Sequence, residues 1–185
     1  MAAVKVSPFN TMKYLNSSNY FEMFGLAPCF AIDMQGLELS YRRLQSELHP
    51  DRYASKNEDE RHMALANSTT VNDGYRALRS SASRAQCLIS LAGWEKSNVA
   101  LSSAFLMAQM EWREAIEEAR ASMDAAALEA LGRRLKHRVV QHERELASAL
   151  DERSDFDAAA RYVNEFKFYE KLRDEIDDAL IGLDH

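Results

Sequence analysis

The sequence predicts an all-α protein of two modules, a helical hairpin module over residues 19–93 and an antiparallel three-helix bundle over residues 94–185. Three observations point there. Only 6 Gly and 3 Pro occur in 185 residues, so few positions interrupt a helix. After residue 18 apolar residues recur at alternating spacings of three and four, the period of one helix face. Short polar turns join the long repeats of the second half, which favours antiparallel neighbours over the alternative of an intermolecular coiled coil.

Residues 1–18, MAAVKVSPFNTMKYLNSS, show no helical period, no apolar run of a secretory signal and no Arg of an organelle presequence. A disordered lead-in is expected, with Met12 as an alternative start. Asn19 then caps a short helix through Tyr20, Phe21, Met23 and Phe24, which Gly25 and Pro28 end. Asp33 caps a second helix whose apolar face is Leu37, Tyr41, Leu44 and Leu48. His49, Pro50 and Asp51 stop it, because proline disfavours helical geometry at the residue before it. Polar residues 55–59 lead into a third helix carrying Ala64, Ser68, Val71, Tyr75 and Leu78, with small residues in its first half where a neighbour can approach. Residues 80–83 are expected to form a break before a fourth helix over residues 84–92, which carries Leu88, Ile89 and Leu91 and has Gly93 as its cap.

The second half is more regular. One helix over residues 102–121 carries Phe105, Ala108, Trp112, Ile116 and Ala119 on one face. A second, starting near Asp124, carries Leu128, Leu131, Leu135, Val139, His142, Leu146 and Leu150. The last follows Asp155 with Ala159, Tyr162, Phe166, Tyr169, Ile176 and Leu180.

Composition narrows the function. The formal net charge is -6, which disfavours a general nucleic-acid binder, and the acidity is uneven: residues 19–93 carry net -1 and residues 94–185 net -7. No run approaches eighteen apolar residues, so no membrane span is predicted. Cys29 and Cys87 stand alone, outside any CxxC, which argues against a disulfide framework and a cysteine-based zinc site.

His49-Pro50-Asp51 is informative through its placement between two amphipathic helices. Pro50 stiffens the connection, so an imidazole and a carboxylate are presented at little entropic cost, as suits docking to a polar cleft. Residues two apart in a tight turn rarely form a catalytic dyad, and no further ligand cluster lies nearby, so neither an enzyme nor a metal site is expected. The short first helix, YRRLQSELHPDRY and VNDGYRALRS together resemble the J domain, the module that stimulates ATP hydrolysis by DnaK-class chaperones. The resemblance implies that His49, Pro50 and Asp51 dock on the chaperone, with Arg42, Arg43 and Arg52 as basic contacts. Glu47 and Leu48 stand where the family usually carries a basic residue before the histidine.

A second surface follows from helical angle. At 100° per residue, Phe105, Ala108, Trp112, Ile116 and Ala119 fall within about 60° of one direction. Met107 and Met110 lie opposite among Glu111, Glu114 and Glu118, with Leu106 between the two faces. Apolar residues among glutamates outside the buried face suggest a docking surface, and methionine suits one because it is flexible and polarizable. Phe168 lies about 120° from the line through Tyr162 and Tyr169. It belongs either to such a surface or to an unusually wide buried face.

A J domain followed by a short bundle, with SSAFLMAQMEWREAIEE and FDAAARYVNEFKFYEKLRDEI, resembles the HscB family of co-chaperones in iron–sulfur cluster assembly. The resemblance implies that the bundle binds an IscU-type scaffold through Leu106, Met107, Met110, Glu111, Glu114, Glu118 and Phe168. It also implies delivery to an HscA-type chaperone, with no cofactor of the chain's own. A J-domain protein serving a different client is the alternative, and self-association through the Met107 face stays open. Some eukaryotic members carry an N-terminal metal-binding cysteine arrangement; nothing before Cys29 matches it, so the bacterial form and the cytoplasm are expected.

Overall fold

The computed structural model describes residues 19–94 and 101–183, so the expectations for residues 1–18 lie outside it. The chain divides into two compact units meeting between Leu91 and Ala92. Among the described residues there is no strand.

The first unit contains α1 (Tyr20–Phe24), α2 (Met34–Glu47), α3 (Glu58–Arg79) and α4 (Ser81–Leu91), with a 3-10 turn at Pro50–Tyr53. Each start has a physical cause. The side-chain oxygen of Asn19 accepts the Phe21 N–H at 3.0 Å, and the Asp33 carboxylate accepts the Gln35 N–H at 3.0 Å. Asn57 and Glu60 form a reciprocal capping box at the head of α3. Gly25, at φ 70, closes α1 in the left-handed conformation that glycine adopts without penalty.

One feature differs from expectation. The break before α4 is shorter, because Ser80 caps the helix at once: its Oγ accepts the Ser83 N–H at 3.3 Å and its carbonyl the Arg84 N–H at 2.8 Å. Leu91 is exposed at the helix end, while Ala82, Ala85, Leu88 and Ile89 are buried. A close approach on α3 lies at Gly74, in its second half. A Cβ there would stand 2.9 Å from the Tyr20 ring and 3.2 Å from that of Phe24, so glycine is what lets α1 lie on α3. Phe21, Phe24, Leu37, Val71, Leu78 and Ile89 form the buried centre.

The second unit is α5 (Ser103–Ala121), α6 (Ala125–Ala147) and α7 (Phe156–Leu183), each packed against the other two. Ser102 and Asp124 cap α5 and α6 through the N–H groups of Phe105 and Ala127. Pairings across α6 and α7 run in opposite senses. Gly132 meets Ile176, Arg138 meets Tyr169, and His142 meets Tyr162, so the two helices are antiparallel. A π-helical turn at Ser148–Glu152 ends α6, and Ser154 (φ 52) reverses the chain before Asp155 caps α7. The core is centred on Phe105, Trp112, Ile116, Leu128, Leu135, Leu172 and Ile176.

Phe168 requires a correction. It does not project off the core but is buried at 7% exposure, edge-on to Phe105 at 5.5 Å between ring centres. The wide buried face is the correct reading: Val163, Phe168, Leu172 and Ala179 are buried together with Ala159, Phe166, Tyr169 and Ile176 of the predicted line.

Candidate functional site

The connection between α2 and α3 is a structured turn. Leu48 is buried and closes α2 through its N–H on the Leu44 carbonyl at 3.0 Å, which anchors the residue immediately before the histidine. His49 then leaves the helix at φ -59 and ψ 132 and caps the 3-10 turn. Its Nδ1 accepts the Asp51 N–H at 3.3 Å, and its carbonyl accepts the Arg52 N–H at 3.0 Å. Nδ1 also lies 3.5 Å from the Asp51 carboxylate, close enough for an ion pair when the ring is protonated. The Asp51 side chain is nonetheless 90% exposed and that of His49 59%, so both are free to meet a partner. The turn is held by its own hydrogen bonds, which lowers the entropy lost on docking.

The basic residues flank this turn unequally. Arg42 donates from Nε to Glu38 at 2.8 Å, so its charge is partly answered within its own helix. Arg43 and Arg52 are exposed, and among the described residues neither forms an ion pair. Glu38 also accepts a hydrogen bond from the Tyr75 hydroxyl, which, with the Arg42 contact, holds its carboxyl below the usual carboxylate range and pushes Tyr75 up. Tyr75 stacks on Tyr41 at 3.9 Å, and the Tyr41 hydroxyl and Gln45 both donate to Asn72. This polar clamp sets the angle of the hairpin that carries the turn. Sequence reasoning missed it; the Glu38/Arg42 spacing of four was its one visible sign.

The outer face of α5 is the second surface. Met107 and Met110 are 64% and 63% exposed, Leu106 is 48% exposed, and Glu111, Glu114 and Glu118 are exposed beside them. Six of the seven predicted residues thus share one solvent-facing helix surface. Phe168, the seventh, lies beneath, packed on Phe105 with the Arg113 guanidinium 6.0 Å from its ring. It supports α5 from below. Among the described residues there is no group of three or more His, Cys, Asp or Glu side chains arranged to hold a metal ion. No described helix is long and apolar enough to cross a membrane.

Comparison with known proteins follows the same division. Residues 101–177 match the family model described as the HSCB C-terminal oligomerisation domain. The chain is 45% identical over 169 residues to the "Co-chaperone protein HscB homolog" of Aromatoleum aromaticum, covering 90% of this chain and 96% of that one. It is 47% identical over 174 residues to the protein of the same name from an Azoarcus species, with the same coverage. The solved structure of chaperone HscB from Vibrio cholerae superposes with a TM-score of 0.82 at 36% identity, covering 89% of this chain and 99% of that one. Human co-chaperone HscB superposes at 0.80 with 25% identity, over 88% and 82% of the two chains. With its hairpin and turn, its bundle and these relatives taken together, the chain belongs to the HscB family of co-chaperones, an all-α protein with an N-terminal J domain and a C-terminal helical bundle.

Proposed function

We propose that the chain binds an IscU-type iron–sulfur scaffold on the outer face of α5, delivers it to an HscA-type chaperone of the DnaK class, and stimulates that chaperone's ATPase through His49, Pro50 and Asp51. The observation that carries the reading is the self-braced turn, with the Asp51 carboxylate 90% exposed. Such a turn offers a chaperone a rigid anionic and imidazole pair at low entropic cost. Arg43 and Arg52, with Arg42 in a lesser role, supply attraction to an acidic chaperone surface. Stimulation is then a population shift: the turn binds the hydrolysis-competent state of the chaperone more tightly than the other.

On the bundle, Leu106, Met107 and Met110 supply apolar contact, and Glu111, Glu114 and Glu118 supply charge that fixes register on the scaffold. Any cluster belongs to the scaffold as cargo. The cytoplasm suits this role: neither Cys29 nor Cys87 is held in a disulfide, and a reducing compartment keeps thiols in that state.

Steady-state ATP hydrolysis by an HscA-type chaperone with scaffold present is the test, comparing the chain with His49→Gln. Stimulation by the first and its loss in the second is the expected result; equal stimulation by both would remove the turn from the mechanism. Loss of scaffold binding on Met107→Ala with Met110→Ala separates this client from any other. A second reading rests on the description of the matched family model, which names oligomerisation. If the α5 face joins copies of the chain, the same double variant lowers the mass seen by light scattering and leaves scaffold binding intact.

A further inference from the structure

The bundle carries another surface whose charge is opposite to that of the α5 outer face. A cleft of about 480 Å³ opens along the seam of α5, α6 and α7, within the volume range of roughly 300–1,000 Å³ typical of binding pockets. On α5 it is lined by Ala104 and Ala108, small enough to leave space, over the rings of Phe105 and Trp112. Its other wall is the stretch of α6 from Arg134 to Gln141. Ala108 lies about 100° around α5 from Met107 and about 160° from Met110, while Ala104 lies about 20° from Glu111, so the cleft opens beside the outer face, away from Met110.

The charge on that wall is anomalous. Residues 133–138 read RRLKHR within a unit of net charge -7. Several of these cations are already answered. Arg133 pairs with Glu129 at 3.5 Å, and Arg138 donates to the Tyr169 hydroxyl at 3.1 Å with Glu165 as an electrostatic neighbour. Arg134 and His137 are exposed cleft residues, and among the described residues no carboxylate pairs with either. The Arg134 guanidinium lies over the Trp112 ring at 4.6 Å, a cation–π contact that holds the charge at the cleft without using a carboxylate.

These features select the occupant. An inorganic anion would leave the apolar floor unused. A nucleic acid or an anionic membrane extends beyond a Debye length of about 8 Å and would meet the net negative charge of the whole unit. From Arg134 to Gln141 the α6 wall rises about 10 Å, the span of about three extended residues, which suits a short peptide segment. Glu165 occupies the α7 side, so carboxylates belong with Arg134 and His137 and the apolar group belongs toward α5.

We propose that this cleft docks a short acidic segment of a partner protein, with carboxylates on Arg134 and His137 and one apolar side chain seated against Ala104 and Ala108. The proposal is independent of the reading of the HPD turn and the α5 outer face, and neither chaperone nor scaffold enters its test. The probe is a fluorescein-labelled synthetic peptide of repeated Glu-Leu-Glu, followed by anisotropy on titration with the full chain. Saturable binding that weakens with salt is expected. It should fall at least about tenfold, or about 1.4 kcal/mol, in Arg134→Gln with His137→Gln, and also in Ala104→Trp, which fills the cleft from an exposed position. Met107→Ala with Met110→Ala should leave it unchanged. Four results would overturn the proposal: no saturation below about 1 mM, retention of affinity in the cleft variants, loss in the methionine variant, or equal binding of a Lys-Leu-Lys peptide or a single-stranded oligonucleotide.

Discussion

Single residues in this chain carry three separable kinds of constraint. Met123 shows the first, backbone strain. It sits at φ 53 just past α5, its N–H on the Arg120 carbonyl and the following N–H on that of Ala119, a helix ending that favours glycine. Its side chain is 72% exposed and has little packing to lose. Met123→Gly is therefore expected to stabilise the bundle by about 1 kcal/mol, the left-handed penalty relieved, as a urea midpoint would register. Gly74 shows the second, steric exclusion, and responds in the other sense. Gly74→Ala puts a Cβ against Tyr20 and Phe24 and should destabilise the N-terminal unit by about 1–3 kcal/mol, read by thermal unfolding. Asp51 shows the third, exposure without a structural duty, which is why its turn was legible: three contiguous residues and a preceding helix sufficed. Gly74 was not legible, because the rings that require it come from α1, a separate stretch of sequence.

At the scale of elements, repeats of three and four fixed the long helices because each needs one buried stripe, whatever its partner. The number of partners was hidden. All three helices meet both others, but α7 packs on the π-helical turn at Ser148–Glu152 as well, and its extra buried residues were invisible from periodicity alone. Phe168 measures the consequence. Phe168→Ala should cost about 3–5 kcal/mol and lower the melting temperature, while Met107→Ala should leave it unchanged, since only the first empties core volume.

The α6–α7 seam also holds His142, fully buried, with Nε2 3.1 Å from the Tyr162 carbonyl and carboxylates of Glu145 and Glu165 each 3.6 Å from the ring. Burial pushes the imidazole below its usual 6.5, against the opposing pull of the Tyr162 carbonyl and Glu145, with Arg138 adding to the depression. The unfolded chain therefore takes up a proton there that the folded chain does not, so His142 favours stability fully above about pH 6.5 and progressively less below it. Glu165, pushed above its usual 4.5 by burial, acts in the opposite sense, binding its proton first in the folded state. Melting temperatures measured downward from pH 7 should fall more steeply in the native chain than in His142→Phe. Equal slopes would mean that the ring is not what acid attacks.

At the scale of the whole molecule, one chain carries both proposed docking surfaces. The two units each have their own core, and their exposed surfaces are unlike: an HPD turn with cations in a unit of net -1, and a methionine–glutamate face in one of net -7. Neither surface has chemistry to gain from the other by contact. On the proposed function, what a single chain adds is effective concentration, since scaffold bound at α5 would be tethered to any chaperone bound at the turn. That benefit cannot be shared between molecules. Mixing the His49→Gln chain with the Met107→Ala, Met110→Ala chain supplies one intact copy of each surface, but on different molecules. Such a mixture should give the basal stimulation that the intact turn provides and none of the extra stimulation that scaffold adds in the native chain, as steady-state ATP hydrolysis would reveal. If the mixture instead matched the native chain, the two surfaces would act as independent modules, and the tether between them would have no mechanistic role.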